Sequence, residues 1–548
     1  MNTLSCFKRQ GNVCKTRDAA SIALLCMITL FGVSEINAAE SSAQFTLGND
    51  TLIVYKDVPG HVPSEFYTIR VRSAATHNEW VECFANITRS LVSSLLAQGV
   101  PLEGNKIDHY YTYLKDWSHT YANIEMTSGS RVEVEISSKN GFKIKGMDFT
   151  YANAHPAHRA EQPTVVNNKV YFIITNPAQI TIDINGQMDS TNTGNGYTGP
   201  PIHAVSFFAN PIIDKPVRGG QGVYVLNPGA AVPTNPATYT TLYIAPGVHN
   251  IGRNFQVGSN KNYYIPGDAI VYGTMNNVNG GGTNVRIYGY GSLSGDLIRH
   301  AKHDPAALVP GANMFTWRAI YGVNLANFRV EGLSIVNPAY HTMNLETAQS
   351  NQKETFCSWL KIVTWRGNGD GIGEADEIHN CFMRVQDDAT YVKGDIIKGT
   401  VFWTDVNGAV FIVSGIKGDR PVVVEDCDVI YARHCATTWA GGRVFSKRGG
   451  GVKGSAKVNA TFKDIRITDP LQTLETFALI LDNGSYSGFT FKNIASVRTP
   501  SKGDNRILGS WDDITFDNVV LGGKLIASKS DFGTIGPNVT NVKFTKTK

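Results

Sequence analysis

The sequence predicts an all-β protein, an N-terminal antiparallel β-sandwich followed by a right-handed parallel β-helix, and three observations carry this expectation. Gly is abundant at 54 residues, charged residues are only 18% and aromatics reach 10%, a mix that favours strands and turns over helices. The first part of the chain alternates apolar and polar residues with period two. The second part repeats one short strand pattern at intervals in the low twenties, and a chain of 548 residues is too long for one ordinary core unless part of it grows by stacking.

The chain opens with Lys8, Arg9, Lys15 and Arg17, then an apolar run over residues 22–33, then the small-residue stretch Asn37-Ala38-Ala39. This layout is that of a secretory signal peptide over residues 1–38, so a secreted protein, extracellular or periplasmic, is expected. An apolar run of 12 residues is well short of the roughly 20 needed to span a bilayer. The leader carries four basic and two acidic residues, which leaves a net charge of +2 on the remainder, and nothing in that balance points to nucleic acid or an anionic membrane. Cys6, Cys14 and Cys26 leave with the leader. The remaining Cys83, Cys357, Cys381, Cys427 and Cys435 are odd in number and lack C-x-x-C spacing, so they read as buried thiols with at most one or two bridges.

Residues 40–218 are expected to form the sandwich. Phe66-Tyr-Thr-Ile-Arg-Val-Arg, Arg131-Val-Glu-Val-Glu-Ile, Lys169-Val-Tyr-Phe-Ile-Ile and Gln179-Ile-Thr-Ile-Asp-Ile all alternate, with turns such as Asn140-Gly141 between strands. Residues 87–98 read as a short helix. Gly219-Gly220 and the Pro-rich stretch 228–236 bracket the boundary.

Residues 237–548 are expected to form the β-helix. Thr241-Leu-Tyr-Ile, Tyr263-Tyr-Ile-Pro and Val285-Arg-Ile-Tyr follow one another at a spacing of 22 residues. Downstream, one apolar position recurs at Leu333, Leu360, Cys381, Cys427, Ile465, Ile494, Val519 and Val542, with gaps of 27, 21, 46, 38, 29, 25 and 23. The gap of 46 is two coils if Thr400-Val-Phe-Trp supplies a rung, and the gap of 38 is one coil plus a Gly-rich excursion at 441–454. Such a repeat suits a solenoid whose coils bury their inward residues against the coils above and below, and propeller blades need roughly 40 residues or more. Asp464, Asn493, Asn518 and Asn541 recur at turns and are expected to form side-chain ladders.

Three carboxylates fall close together in this repeat: Asp370 between Gly369 and Gly371, and the adjacent Asp387 and Asp388 17 residues on. They follow the Leu360 and Cys381 rungs at offsets of 10, 6 and 7, so all three are expected on one side of adjacent coils. The flanking glycines are expected to let the backbone approach a ligand. Clustered acids suit glycosidic hydrolysis, where a protonated carboxyl donates to the leaving oxygen and an ionised one activates water. Crowding helps, because neighbouring negative charges raise the pKa of the acid that stays protonated. A divalent-cation site is the competing reading, but only Glu374 and Asp376 lie near in sequence, and no metal is expected.

Sugar faces stack on aromatic rings, which makes Trp317, Trp365, Trp403 and Trp439 candidate subsite residues. Tyr340-His341, one coil before Asp370, is expected to line the cleft, as are Arg433-His434 and the Gly-rich segment 447–455. The latter lacks the spacing of a phosphate loop. The segment order, Leu-Tyr-Ile-Ala-Pro-Gly-Val-His-Asn-Ile-Gly, then Gly-Tyr-Gly-Ser-Leu-Ser-Gly-Asp, then Gly-Asp-Gly-Ile and Gln-Asp-Asp-Ala behind a sandwich, resembles glycoside hydrolase family 49, the dextranase and isopullulanase family, over nearly the whole chain after the leader.

That resemblance implies an inverting hydrolase of α-glucan, most simply endo-hydrolysis of α-1,6 linkages in dextran. It implies Asp387 as general acid and Asp370 and Asp388 as the residues that position and deprotonate water, with no cofactor and a polysaccharide as the partner of a monomer. Trp365, His341, Tyr391 and Lys393 are the candidate substrate-binding residues. Two departures stand out: Gly369 where the family commonly has Thr, and Thr390-Tyr391-Val392 before Lys393 where it commonly has Lys soon after Asp-Asp-Ala. The alternatives are a hydrolase of another acidic or sulfated glycan, for which only Arg366, Arg384 and Lys393 stand near the aspartates, and a non-catalytic glycan-binding β-helix.

Overall fold

The computed structural model describes residues 42–47, 50–77, 79–89, 117–139, 141, 143–144, 147–148, 160–185, 203–233, 238–278, 280–348, 352–393, 396–405, 408–416, 420–432, 443–447, 457–469, 475–497 and 505–547. The expected leader, Cys435, Trp439 and Arg433-His434 lie outside these ranges.

Alternation builds a two-sheet sandwich. One sheet runs Val81–Cys83, Tyr67–Ser73, Val132–Ser138, Lys169–Ile174 and Glu161–Val166. Tyr67–Ser73 alternates strictly between buried and half-buried residues, one face inward and one to solvent. The other sheet runs Ser42–Leu47, Asp50–Tyr55, Ser118–Met126, His203–Pro211, Ala178–Ile184 and Met147–Asp148, with Asn86–Arg89 also paired to Ser118–Met126. Two points differ from expectation. His203–Pro211 pairs with Ser118–Met126 in parallel, so the sandwich is antiparallel except at its centre. Residues 87–89 belong to the strand Asn86–Arg89 rather than a helix, because they pair with 118–120; residues 90–98 lie outside the described ranges.

Among the described residues the other 28 strands form one sheet wound into coils, beginning with Val223–Leu226 stacked on Thr241–Ile244. Each coil has three short faces. In one turn these are Ile372–Glu374, Glu377–His379 and Phe382–Val385; in the next they are Thr390–Val392, Ile396–Lys398 and Val401–Thr404, each stacked in parallel on its predecessor. The sequence repeat is a true column: Leu333, Leu360, Cys381, Thr400, Cys427, Ile465, Ile494 and Val519 stack one per coil and are fully buried. Thr400 is the rung inferred within the gap of 46. Val542 belongs to another column, above Ile514.

Each member of this column follows a residue with positive φ: Gly332, Trp359, Asn380, Gly399, Asp426, Asp464, Asn493 and Asn518. A left-handed turn before every inward residue explains the Gly, Asn and Asp there, since other side chains meet the carbonyl oxygen in that conformation. The amides also ladder: Asn518 Nδ2 donates to Asn493 Oδ1 at 2.9 Å and Asn493 Nδ2 to Asp464 Oδ1 at 2.8 Å. Asn541 instead donates to Asp512 Oδ1 at 2.7 Å, in a second ladder of turns. Inside, Phe462, Phe491, Phe516 and Phe544 stack at 5.2, 5.3 and 5.4 Å between ring centres, close to the roughly 4.8 Å strand spacing.

The sandwich packs on the outer side of one face of the helix. Trp117, Tyr121, Ala204 and Phe208 meet Val336, Val363, Trp365, Phe382, Val401, Trp403, Ile430 and Tyr431 in one buried cluster. Every residue of Ser118–Met126 is therefore buried, the polar side included: Asn123 Nδ2 donates to Ser334 Oγ at 3.2 Å, and Tyr121 OH lies 3.2 Å from Ser292 Oγ. Lys361, fully buried here, donates to Asn210 Oδ1, Gly332 O and Trp359 O at 2.7, 2.6 and 3.0 Å, and burial pushes its pKa well below that of an ordinary lysine. Cys83, Cys357, Cys381 and Cys427 are all buried.

The turn ladder yields a stability prediction. Asn518→Ala should cost about 2 kcal/mol, from the left-handed backbone and the lost amide bond, while Asn518→Gly should cost about 1 kcal/mol. Urea denaturation midpoints should fall in the order wild type, Gly, Ala; a Gly variant less stable than Ala would contradict the backbone argument.

Candidate active site

A column of polar and charged residues rises along one edge of the helix. Arg318, His341, Asp370, Asp388, Ala409, Arg443 and Glu475 stand two places before Ile320, Met343, Ile372, Thr390, Phe411, Phe445 and Phe477, which pair coil on coil. Asp370 and Asp388 are vertical neighbours, at a coil spacing of roughly 4.8 Å. Parallel hydrogen bonding holds them there: Thr342 N donates to Asp370 O at 3.1 Å and Gly371 N to Asp388 O at 2.8 Å. Thr342 Oγ1 adds a second bond to Asp370 O at 2.6 Å.

The glycines flanking Asp370 serve this close packing rather than the approach of a ligand. A Cβ on Gly371 would lie 2.3 Å from Ala389 O, and one on Gly369 would lie 2.5 Å from Arg366 O. Gly408 does the same one coil on, where a Cβ would lie 1.9 Å from the Asp387 carbonyl carbon.

Tyr391 links the two stacked acids. Its hydroxyl lies 2.9 Å from Asp370 Oδ2 and 2.8 Å from Asp388 Oδ2. Ala409 N donates to Asp388 Oδ1 at 2.9 Å, and Asp388 N donates to Asp387 Oδ1 at 3.0 Å. Burial first, then the charges of Asp387 and Asp388, push the Asp370 carboxyl well above its usual pKa, against the smaller pull of Tyr391 and Arg318. Burial raises Asp388 as well, offset by the Ala409 amide and Tyr391. His341 Nδ1 stands 3.4 Å from Asp370 Oδ2, but burial and the nearby Arg318 and Lys302 lower this imidazole to about 3, so it is neutral. Its ring stacks on Tyr340 at 4.1 Å.

The other sequence candidates divide. Lys393, just past the strand Thr390–Val392 that carries Tyr391, bonds from Nζ to Glu374 Oε2 at 2.8 Å. Trp365 is not a cleft residue: only 6% exposed, it donates from Nε1 to Thr88 Oγ1 of the sandwich at 3.1 Å. Trp403 and Trp317 are buried too, Trp403 in the same interface. Arg384 lies fully buried between the Trp365 and Trp403 rings, 4.0 and 4.1 Å from their centres, and its Nε donates to Asp405 Oδ2 at 2.9 Å. Arg366 is turned inward, donating to Gly295 O and Ile298 O. Neither arginine faces the aspartates.

Sequence reasoning missed Arg318, Arg443 and Glu475 in the column, and the exposed ring of Phe315, which lies 4.3 Å from the Arg318 guanidinium. A signal existed: each column residue is followed by a small or β-branched residue and then an inward one, as in Arg318-Ala-Ile, His341-Thr-Met, Asp370-Gly-Ile and Asp388-Ala-Thr.

The raised Asp370 has a consequence for stability. In the unfolded chain its carboxyl ionises near pH 4, whereas the native site still holds the proton there, so stability falls as pH rises from about 4 toward the raised native value and stays lowered above it. Asp370→Asn removes that penalty while keeping the shape. The variant should melt at a higher temperature than wild type at pH 7, and the difference should vanish below about pH 4; calorimetry at both pH values checks this.

No protein-family model and no curated protein matches the chain. Among solved structures, a family 28 exopolygalacturonase from Yersinia enterocolitica is similar over 75% of this chain and 96% of its own, at 12% identity and a TM-score of 0.36. The catalytic domain of a GH87 α-1,3-glucanase covers 92% of this chain and 91% of its own, at 9% identity and a TM-score of 0.32. Dex49A from Penicillium minioluteum covers 92% of this chain and 100% of its own, at 13% identity and a TM-score of 0.65. The chain has the fold of Dex49A across the full length of that protein.

Proposed function

We propose that this chain is a secreted inverting glycoside hydrolase that cuts α-1,6 linkages within dextran. The observation that carries the reading is the acid cluster itself: Asp370 and Asp388 stacked and bridged by Tyr391, with Asp387 alongside. The shared fold with Dex49A and the motif order support the α-glucan class.

The geometry bears on the roles. Acid and base of an inverting enzyme stand roughly 6.5–9.5 Å apart, with the sugar and its water between them. Asp370 and Asp388 have a phenol between them instead, so these two do not flank a glycosidic bond. They belong on the water side, and Asp387 is left as the acid. In the reaction, Asp387 gives its proton to the glycosidic oxygen as the bond to the anomeric carbon breaks. Water attacks that carbon from the opposite face, and its proton passes to the Asp370–Asp388 pair.

Three of the basic groups on or beside the column are held by the protein's own carboxylates, which favours a neutral glycan. Lys393 is paired with Glu374, and Arg443 and Arg506 both reach Glu475 at 2.7 Å. A polyuronate or sulfated chain would have to compete with these carboxylates for its counter-charges.

Reducing-sugar release from dextran, pullulan, polygalacturonate and a sulfated glycan tests the proposal. Dextran should be cleaved with release of the inverted anomer, and Asp387→Asn should lower kcat by about 10²–10⁴-fold. Equal activity of the variant would remove the acid assignment, cleavage of polygalacturonate alone would sink the dextran reading, and no release from any glycan would favour a binding protein.

A further inference from the structure

Tyr391 was expected at the substrate, yet its hydroxyl is spent on the protein's own acids. Three oxygens stand in a row, Asp370 Oδ2, Tyr391 Oη and Asp388 Oδ2, with contacts of 2.9 and 2.8 Å. Two hydrogen bonds need two protons, and a phenol carries one. If both carboxyls were ionised, they would have to share the single phenol hydrogen in a bent, weakened three-centre bond, or one contact would hold no hydrogen at all. Loss of the phenol proton offers no escape, because burial and the three aspartates push its pKa far above the ordinary value.

We infer that one aspartate of the pair keeps a proton in the working enzyme, so that Asp370, Tyr391 and Asp388 hold two protons among three oxygens and act as a single base. This rests on the hydrolase reading and deepens it. Asp370, the more deeply buried and facing both other aspartates, holds the proton and donates to the phenol. The phenol donates to Asp388, whose charge the Ala409 amide also supports. In the reaction the O–H bond of water breaks, its electron pair forms the new bond to the anomeric carbon, and its proton lands on Asp388. The pair then carries two carboxyl protons; after product leaves it gives one up to solvent, and Asp387, which protonated the leaving oxygen, takes one back. The other charged or titratable groups that face the pair are Arg318 and neutral His341 from the preceding coils and Asp387 from the same turn, while Glu346, Glu374 and Lys393 beyond them interact with one another. All of them remain when the phenol is altered.

Tyr391 is on this view a positioning residue that stabilises the singly protonated pair against both its neighbours in protonation. Tyr391→Phe keeps the ring and removes only the hydroxyl. The rising acid limb of the pH profile for kcat/KM, which reports loss of the first proton from the fully protonated pair, should move up by about one pH unit, a roughly tenfold loss on the acid side, with KM for dextran little changed. An unmoved limb, or a rise in KM alone as for a substrate contact, overturns the inference.

A second readout needs no substrate. In carbon NMR of labelled aspartates, the two titration steps of the Asp370–Asp388 pair should lie closer together in Tyr391→Phe than in wild type; unchanged separation overturns the inference. If wild type releases sugar from no glycan, the hydrolase reading falls while the titration still decides the shared proton.

Discussion

Parallel register sets each residue of a coil about 4.8 Å from its counterparts above and below, and in this chain two aspartates occupy consecutive places in one column. Like charges at that distance repel by several kcal/mol in a partly dry site. The backbone ladder denies them room to separate, since Thr342, Gly371 and Ala389 are each hydrogen-bonded to the coil above. What remains is to hold a proton, to recruit a donor, or both. The half-buried phenol of Tyr391, the Ala409 amide and the raised carboxyls are all answers to that one enforced contact.

The sandwich contributes by covering what the coils leave exposed. Trp365, Phe382, Trp403 and Tyr431 point away from the helix interior, and without Trp117, Tyr121 and Phe208 over them they would form a large apolar surface. This interface also reaches the site. Arg384, clamped between two tryptophans, bonds Asp405, and Asp405 Oδ2 accepts a second bond from Gln386 Nε2 at 3.1 Å, one residue before Asp387. The turn that carries Asp387 is thereby anchored in a buried ion pair under the sandwich rather than left to its own loop.

Much of this was legible in the chain and some was not, for definite reasons. Inward positions such as Leu360, Cys381 and Ile465 recur because every coil must fill the same interior, and a break in spacing was enough to locate Thr400. Asp370 and Asp388 were recognisable as neighbours because the coil repeat fixes vertical position. The tryptophans misled because period-two reading tells which side of a strand a residue faces, not what covers that side. Burial of both sides of Ser118–Met126 has the same cause, a cover supplied by the helix and not by the strand's own pattern. Gly369 and Gly371 were conspicuous, but only the close approach of Arg366 O and Ala389 O shows that their partner is the protein itself.

Coils that touch only the coils above and below are also units of heredity. Arg318, His341, Asp370, Asp388 and Ala409 take their mutual positions from five consecutive turns, and the distance in sequence between those turns does not enter. Between successive members of the column the chain spends 23, 29, 18 and 21 residues, so excursions of different length are accommodated without disturbing the stack. Insertions at the corners can reshape the walls of a cleft from one descendant to the next while the acids keep their places, which lets recognition diverge as the chemistry stays put.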